Sequence, residues 1–203
     1  MMDVFSTFAV YSSFYAITKF MYPEAKARVY VSLINSIILS THSIYSYWNF
    51  QLHDVNYFLE SSPNYNLTNY TIGYFAADLF LGHFFDKKNL NLLSGYIHHS
   101  VFIGLTLFIN YTGEANIIYL LVPFEIPTMI LDISRIYESV YLNYLFASNF
   151  LIFRILYHLY LTNIIWNYNS IYGGVVILLL CVHLHWFKLW ITKETKRLTS
   201  CTV

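Results

Sequence analysis

The chain has 203 residues, 57% of them hydrophobic and only 11% charged, with no formal net charge. Soluble domains carry about 25% charged residues, so this composition excludes an ordinary water-soluble surface. The zero net charge gives no footprint for nucleic acid or another polyanion, and the expected partners are membrane lipids.

Aromatic residues are abundant, with 20 Tyr and 17 Phe, as suits side chains at bilayer interfaces. The start, Met1-Met2-Asp3, lacks the basic region of a cleaved signal peptide, so the first apolar run is expected to stay as a membrane segment. A spanning helix needs about 20 mostly apolar residues. Seven runs come near this: Val4–Met21, Val29–Asn49, Tyr70–Phe85, Leu90–Tyr111, Ala115–Ile136, Asn143–Trp166 and Ile171–Ile191. The expected fold class is an all-α membrane protein, about seven transmembrane helices forming a bundle or barrel with a buried polar cavity. Residues 1–25 form an N-terminal helix, 26–193 the main domain and 194–203 a tail.

The charges test this layout. Lys19, Lys26, Arg28, Lys87, Lys88, Arg135, Lys188, Lys193, Lys196 and Arg197 all fall at one set of helix ends, while Asp3, Asp54, Glu60 and Glu114 fall at the other. Basic residues favour the cytosolic side, so the N-terminus is expected in the lumen and the C-terminus in the cytosol. The longest connection, Phe50–Asn69, is then luminal, and Leu52, Val55, Phe58 and Leu59 give it the spacing of a short interfacial helix. Asn66, Asn69 and Asn110 each begin a glycosylation sequon on that side, with Asn66 the one clear of the bilayer.

The eleventh basic residue, Arg154, lies inside an apolar run, as do several other ionisable groups. At about 1.5 Å per residue, Asp78 lies roughly 13–14 Å from the boundary marked by Lys87, and His98 about 15 Å from that marked by Lys88. Glu125 is about 15 Å from either end of its run. Half the hydrocarbon core is about 15 Å, so three spans place an ionisable group near one level. Such groups are costly in lipid and mark sites by default. His98 and His99 point about 100° apart, so one of them is expected to face the site and the other a neighbouring helix. Pro123 and Pro127 bracket Glu125 and are expected to break the fifth helix there. Arg154 and His158 share a face of the sixth run. His183 and His185 are expected near the cytosolic boundary, meeting headgroups or lining a cytosolic mouth, and Asn35 and His42 on a cavity wall or against neighbouring helices. Cys181 and Cys201 form neither a disulfide framework nor a metal-ligand pattern.

An imidazole beside a carboxylate is a base of fixed tautomer and can abstract a proton or act as a nucleophile. The candidate catalytic residues are His98, His99, Asp78 and Glu125. Arg154, His158 and Asp132 are candidates for holding substrate, and no metal or cofactor is read from the spacing.

Gly73-Tyr74 with Asp78, His98-His99, Phe153-Arg154 and Trp186-Phe187, in that order, resemble the TLC domain (the translocon-associated, Lag and CLN group). The resemblance runs from about Lys26 to Lys193. It implies a helical barrel open to the cytosol, residence in the endoplasmic reticulum and, for the ceramide synthases of this group, transfer of an acyl group from acyl-CoA to a sphingoid amine through the double His. The chain departs from those synthases at Phe124-Glu125-Ile126-Pro127-Thr128, where they carry a His-Asp pair and a further Asp; here Asp132 follows later. It is thereby closer to the less characterised TLC-domain proteins. Acyl transfer therefore stands beside two rival expectations, a non-catalytic regulator of membrane lipid composition and a cargo-handling protein. A retinal protein is excluded by the lack of a lysine within Ile171–Phe187, and a di-iron desaturase by too few histidine clusters. A di-haem cytochrome stays open on His98, His158 and His183.

Overall fold

The structure is a computed structural model and describes residues 3–52, 59 and 63–200. Among these residues the chain is helical, with no strand. Three helical stretches, Ile117–Tyr137, Val140–Tyr168 and Ser170–Thr199, are long and apolar enough to cross a membrane. The other expected runs also fall on helix but are diluted by polar groups. The second, for example, carries Ser32, Asn35, Ser36, Ser40, Thr41 and His42. Most of the expected interfacial helix around Val55 and Phe58 lies outside the described residues.

The chain divides into two compact units, residues 1–125 and 126–203. In the first, α1 (Val4–Met21) starts at a capping box. Asp3 Oδ1 accepts from the Ser6 backbone N–H at 2.7 Å, and Ser6 Oγ approaches the Asp3 N–H at 3.2 Å. These bonds satisfy donors that a helix start leaves open. The Ser6 N–H holds the exposed Asp3 carboxyl below its ordinary range. Tyr22 is extended before Pro23, which cannot continue the helix, and α2 (Glu24–Leu52) begins anew.

α3 (Tyr65–Phe85) packs tightly on α1. A Cβ on Gly73 would sit 2.7 Å from both Thr7 Cβ and the Val4 carbonyl oxygen, so glycine is what lets the two helices approach. Above and below this crossing Tyr11 meets Tyr74 and Tyr70 edge-on. The next helix opens with a π-helical turn, Leu92–Ile97, in which the Tyr96 N–H bonds five residues back to Asn91. It continues as α4 (His98–Thr112), which Gly113 ends in the left-handed region at φ 79°. The short α5 (Ile117–Leu121) leads into a 3-10 turn, Val122–Phe124, around Pro123. The expected break before Glu125 thus takes the form of one tightened turn.

In the second unit α6 (Glu125–Tyr137, its first residue closing the first unit) is followed by α7 (Val140–Asn149), a π-helical stretch Phe150–Leu156, α8 (Tyr157–Tyr168) and α9 (Ser170–Ser200). Ile130, Phe146, Phe150 and Ile155 form its core, with Trp186, Phe187 and Trp190 packed against them. Phe150, Phe187 and Trp190 stack nearly parallel, and Asn143 links Trp190 Nε1 to Glu194.

Candidate functional site

Among the described residues each unit holds buried ionisable side chains close to a π-helical turn. Such turns shift the register of the side chains that follow and recur at functional sites.

In the first unit α3 supplies Asp78, which is 5% exposed. The π turn delivers His99 to it, with Nδ1 3.2 Å from Oδ2. The approach is close but poorly directed: Nδ1 has no hydrogen bond of good geometry, so the contact is a charge pairing when the imidazole is protonated. His98 instead packs on the Phe102 and Phe75 rings. Of the double His, His99 is therefore the one facing the carboxylate. Both rings flank Phe75, and their centroids are 5.4 Å apart.

Asp78 has a second partner, Arg28, one of the charges expected at the helix boundaries. Arg28 Nη2, from the start of α2, donates to Oδ1 at 3.1 Å and Oδ2 at 2.9 Å. Its Nη1 donates to Asp86 Oδ2 at 3.3 Å, and Asn89 Nδ2 donates to Asp86 Oδ1 at 2.7 Å. Burial works against the Arg28 charge, but Asp78 and Asp86 outweigh it and hold the guanidinium more firmly protonated than usual. The signal for this partner lies in the sequence: Asp78 and Gly82 share a helix face, and Asp86, four residues further on, caps the end of that helix.

Glu125 is half-buried and within electrostatic range of the Tyr70 hydroxyl. Tyr70 is hydrogen-bonded to Tyr11, which also reaches Asn35 Oδ1 at 3.5 Å. Thr7, Val10, Tyr11, Phe14, Ile34, Ile38 and Tyr70 line a half-open apolar cavity of about 140 Å³ beside this trio. Asn35 is buried here, whereas His42 is exposed.

The second unit holds Asp132, Arg154 and His158. Asp132 is fully buried and meets Arg135 Nη1 at 3.4 Å. Arg154 donates to Thr128 Oγ1 at 2.7 Å and lies over the Phe150 and Trp186 rings. His158, also fully buried, makes a 2.9 Å contact between its Nδ1 and that of His183. Its Nε2 lies 2.9 Å from the Val176 carbonyl, which only accepts, so Nε2 carries a hydrogen. In the neutral pair His183 Nδ1–H then donates to His158 Nδ1. The expectation that His183 meets headgroups does not hold: its side chain is 1% exposed. Two residues on, about 200° around the helix, His185 is exposed.

Among the described residues no group of three or more His, Cys, Asp or Glu side chains could hold a metal ion. No protein-family model, curated protein or solved structure matches the chain.

Proposed function

We propose that the chain is a seven-span membrane protein of the TLC type that handles lipid, and that His99 with Asp78 is where it acts on an acyl chain. The observation that carries this reading is the pairing of a half-buried imidazole with a buried carboxylate beside apolar helices. The topology has the luminal N-terminus and cytosolic C-terminus that the basic residues favour, in the endoplasmic reticulum. Exposed aromatic residues stand at both sets of helix ends, as suits two bilayer interfaces. Trp48, Tyr111 and Trp166 stand near the ends assigned to the lumen; Phe20, Phe84 and Tyr137 stand near those assigned to the cytosol.

For Nε2 to act as base, the neutral imidazole carries its hydrogen on Nδ1, the side of Asp78. For acyl transfer from acyl-CoA to a long-chain amine, Nε2 takes a proton from the amine as its nitrogen bonds to the thioester carbonyl carbon. The C–S bond breaks, and the departing thiolate takes that proton, giving an amide and a free thiol. His98 shapes the surroundings of this pair. Mass spectrometry of lipid carried by the purified protein tests the lipid reading: a defined long-chain lipid, depleted in His99→Ala, is expected. Bulk membrane lipid in unchanged proportion would refute it.

A second reading, a non-catalytic lipid-binding protein, is favoured by the Arg28 bonds, which tie Asp78 into a helix-locking ion pair. It predicts a retained lipid without turnover.

A further inference from the structure

α9 has 31 residues. At about 1.5 Å per residue it is roughly 46 Å long, against about 30 Å for the hydrocarbon core of a bilayer. With Ser170 at one edge of the core and the axis upright, Lys188 stands about 27 Å along it, Lys193 about 35 Å and Lys196 about 39 Å. The headgroup layer occupies about 5–7 Å beyond each edge of the core, so the three lysines bracket it. All three are exposed. At about 100° per residue they share an arc of about 140°, with Thr192, also exposed, inside it.

The acidic side chain of this stretch, Glu194, is turned to the opposite side and is 7% exposed. Asn143 Nδ2 donates to its Oε1 at 2.8 Å, and Arg197 Nε donates to its Oε2 at 3.0 Å. Arg197 Nη2 lies 2.7 Å from the same Oε2 and 3.5 Å from the Tyr144 hydroxyl. Trp190 Nε1 donates to Asn143 Oδ1 at 3.3 Å. These bonds pin the last turns of α9 to the start of α7, so the helix runs on past its apolar part in a fixed orientation. They also neutralise Glu194 internally. In the α6–α7 turn at the same end, Arg135 and Glu138 are both exposed and offset each other. The outer face of α9 is left with three ammonium groups and no carboxylate.

We propose that this face of α9, Lys188, Lys193 and Lys196, binds the headgroups of anionic phospholipids. The charges are complementary, and the lysines stand at the level where lipid phosphates and carboxylates lie. Each ammonium sits on a flexible stem that rests along the apolar edge while the head reaches the phosphate layer. A lysine beside an anionic leaflet favours association by a factor of about five. The inference rests on the reading of α9 as a membrane span. It is independent of the acyl-handling site and of which end of α9 faces the cytosol.

The test places a fluorophore on Thr192→Cys in the full-length protein, with Cys181→Ala and Cys201→Ser, reconstituted in phosphatidylcholine vesicles. Phosphatidylserine or phosphatidylcholine carrying a nitroxide near the headgroup is then titrated in, and quenching reports the lipid beside this face. Half-quenching is expected at a mole fraction of the serine lipid at least about fivefold lower than of the choline lipid. The gap is expected to narrow as salt is raised. Combining Lys188→Gln, Lys193→Gln and Lys196→Gln is expected to abolish it; all three positions are exposed, so the fold tolerates the changes. Equal mole fractions in the protein with its lysines overturn the inference and leave the face to a soluble acidic partner. A gap undiminished in the triple variant also overturns it. A protein that fails to float with the vesicles overturns the membrane reading, and the inference with it.

Discussion

Replacing Asp78 by Asn removes a buried charge from the Arg28 fork while keeping the side chain's shape. The wild-type carboxylate accepts two bonds from Nη2, at 3.1 and 2.9 Å. Breaking one side of a buried ion pair costs about 3–5 kcal/mol, because the other charge stays buried. Here Asp86 remains on Nη1 at 3.3 Å and absorbs part of that loss. The expected cost is therefore at the low end, about 3 kcal/mol. In an Arg28→Met background the same substitution removes a carboxylate that has already lost its main partner, and its cost falls to about zero or below. Unfolding of all four proteins in mixed detergent micelles closes the cycle. Neutral hydrogen bonds between membrane helices couple by only about 0.6 kcal/mol on average, so a coupling above about 2 kcal/mol identifies the ion pair. Equal costs in the two backgrounds, within about 0.5 kcal/mol, would refute the reasoning.

Gly73→Ala places a Cβ 2.7 Å from the Val4 carbonyl oxygen and is expected to destabilise by about 1–3 kcal/mol. Gly104→Ala meets nothing within 4 Å and gains helix propensity, so thermal unfolding should show it neutral or stabilised by up to about 1 kcal/mol. His183→Ala strips a buried partner from His158 and is expected to cost about 1–3 kcal/mol in the same unfolding assay. The exposed His185→Ala should stay within about 0.5 kcal/mol of wild type. The Asp3 cap has a depressed carboxyl pKa, so its contribution is present above the unfolded value and lost as pH falls through the folded one. Amide-exchange protection at Ser6 should fall on acidification in wild type and not in Asp3→Asn, whose amide oxygen caps without titrating.

Much of the helical layout was legible because apolar runs and their punctuation act locally. The helix Val4–Met21 begins and ends where the apolar run does, since Asp3 and Tyr22-Pro23 close it chemically at both ends. The break before Glu125 was legible in Pro123. Arg28 was not, because a guanidinium on a long stem works far from its own backbone; counted by position it was a boundary charge, yet its head lies on α3. Asp78 and Gly82 on one helix face, with Asp86 capping the helix end four residues on, carried the missing signal. Which of His98 and His99 faces the carboxylate was hidden by the π-helical turn, whose five-residue hydrogen bond leaves no apolar periodicity to read. His183 was grouped with His185 by proximity, although two residues on a helix point to opposite sides.

The most direct measurement of the central claim is turnover by the purified protein given labelled acyl-CoA and long-chain amines, compared between wild type, His98→Ala and His99→Ala. The account predicts amide product from wild type, product retained at reduced rate in His98→Ala, and none above background in a folded His99→Ala protein. Equal product from both variants, or none from a wild-type protein that still carries lipid, would contradict it.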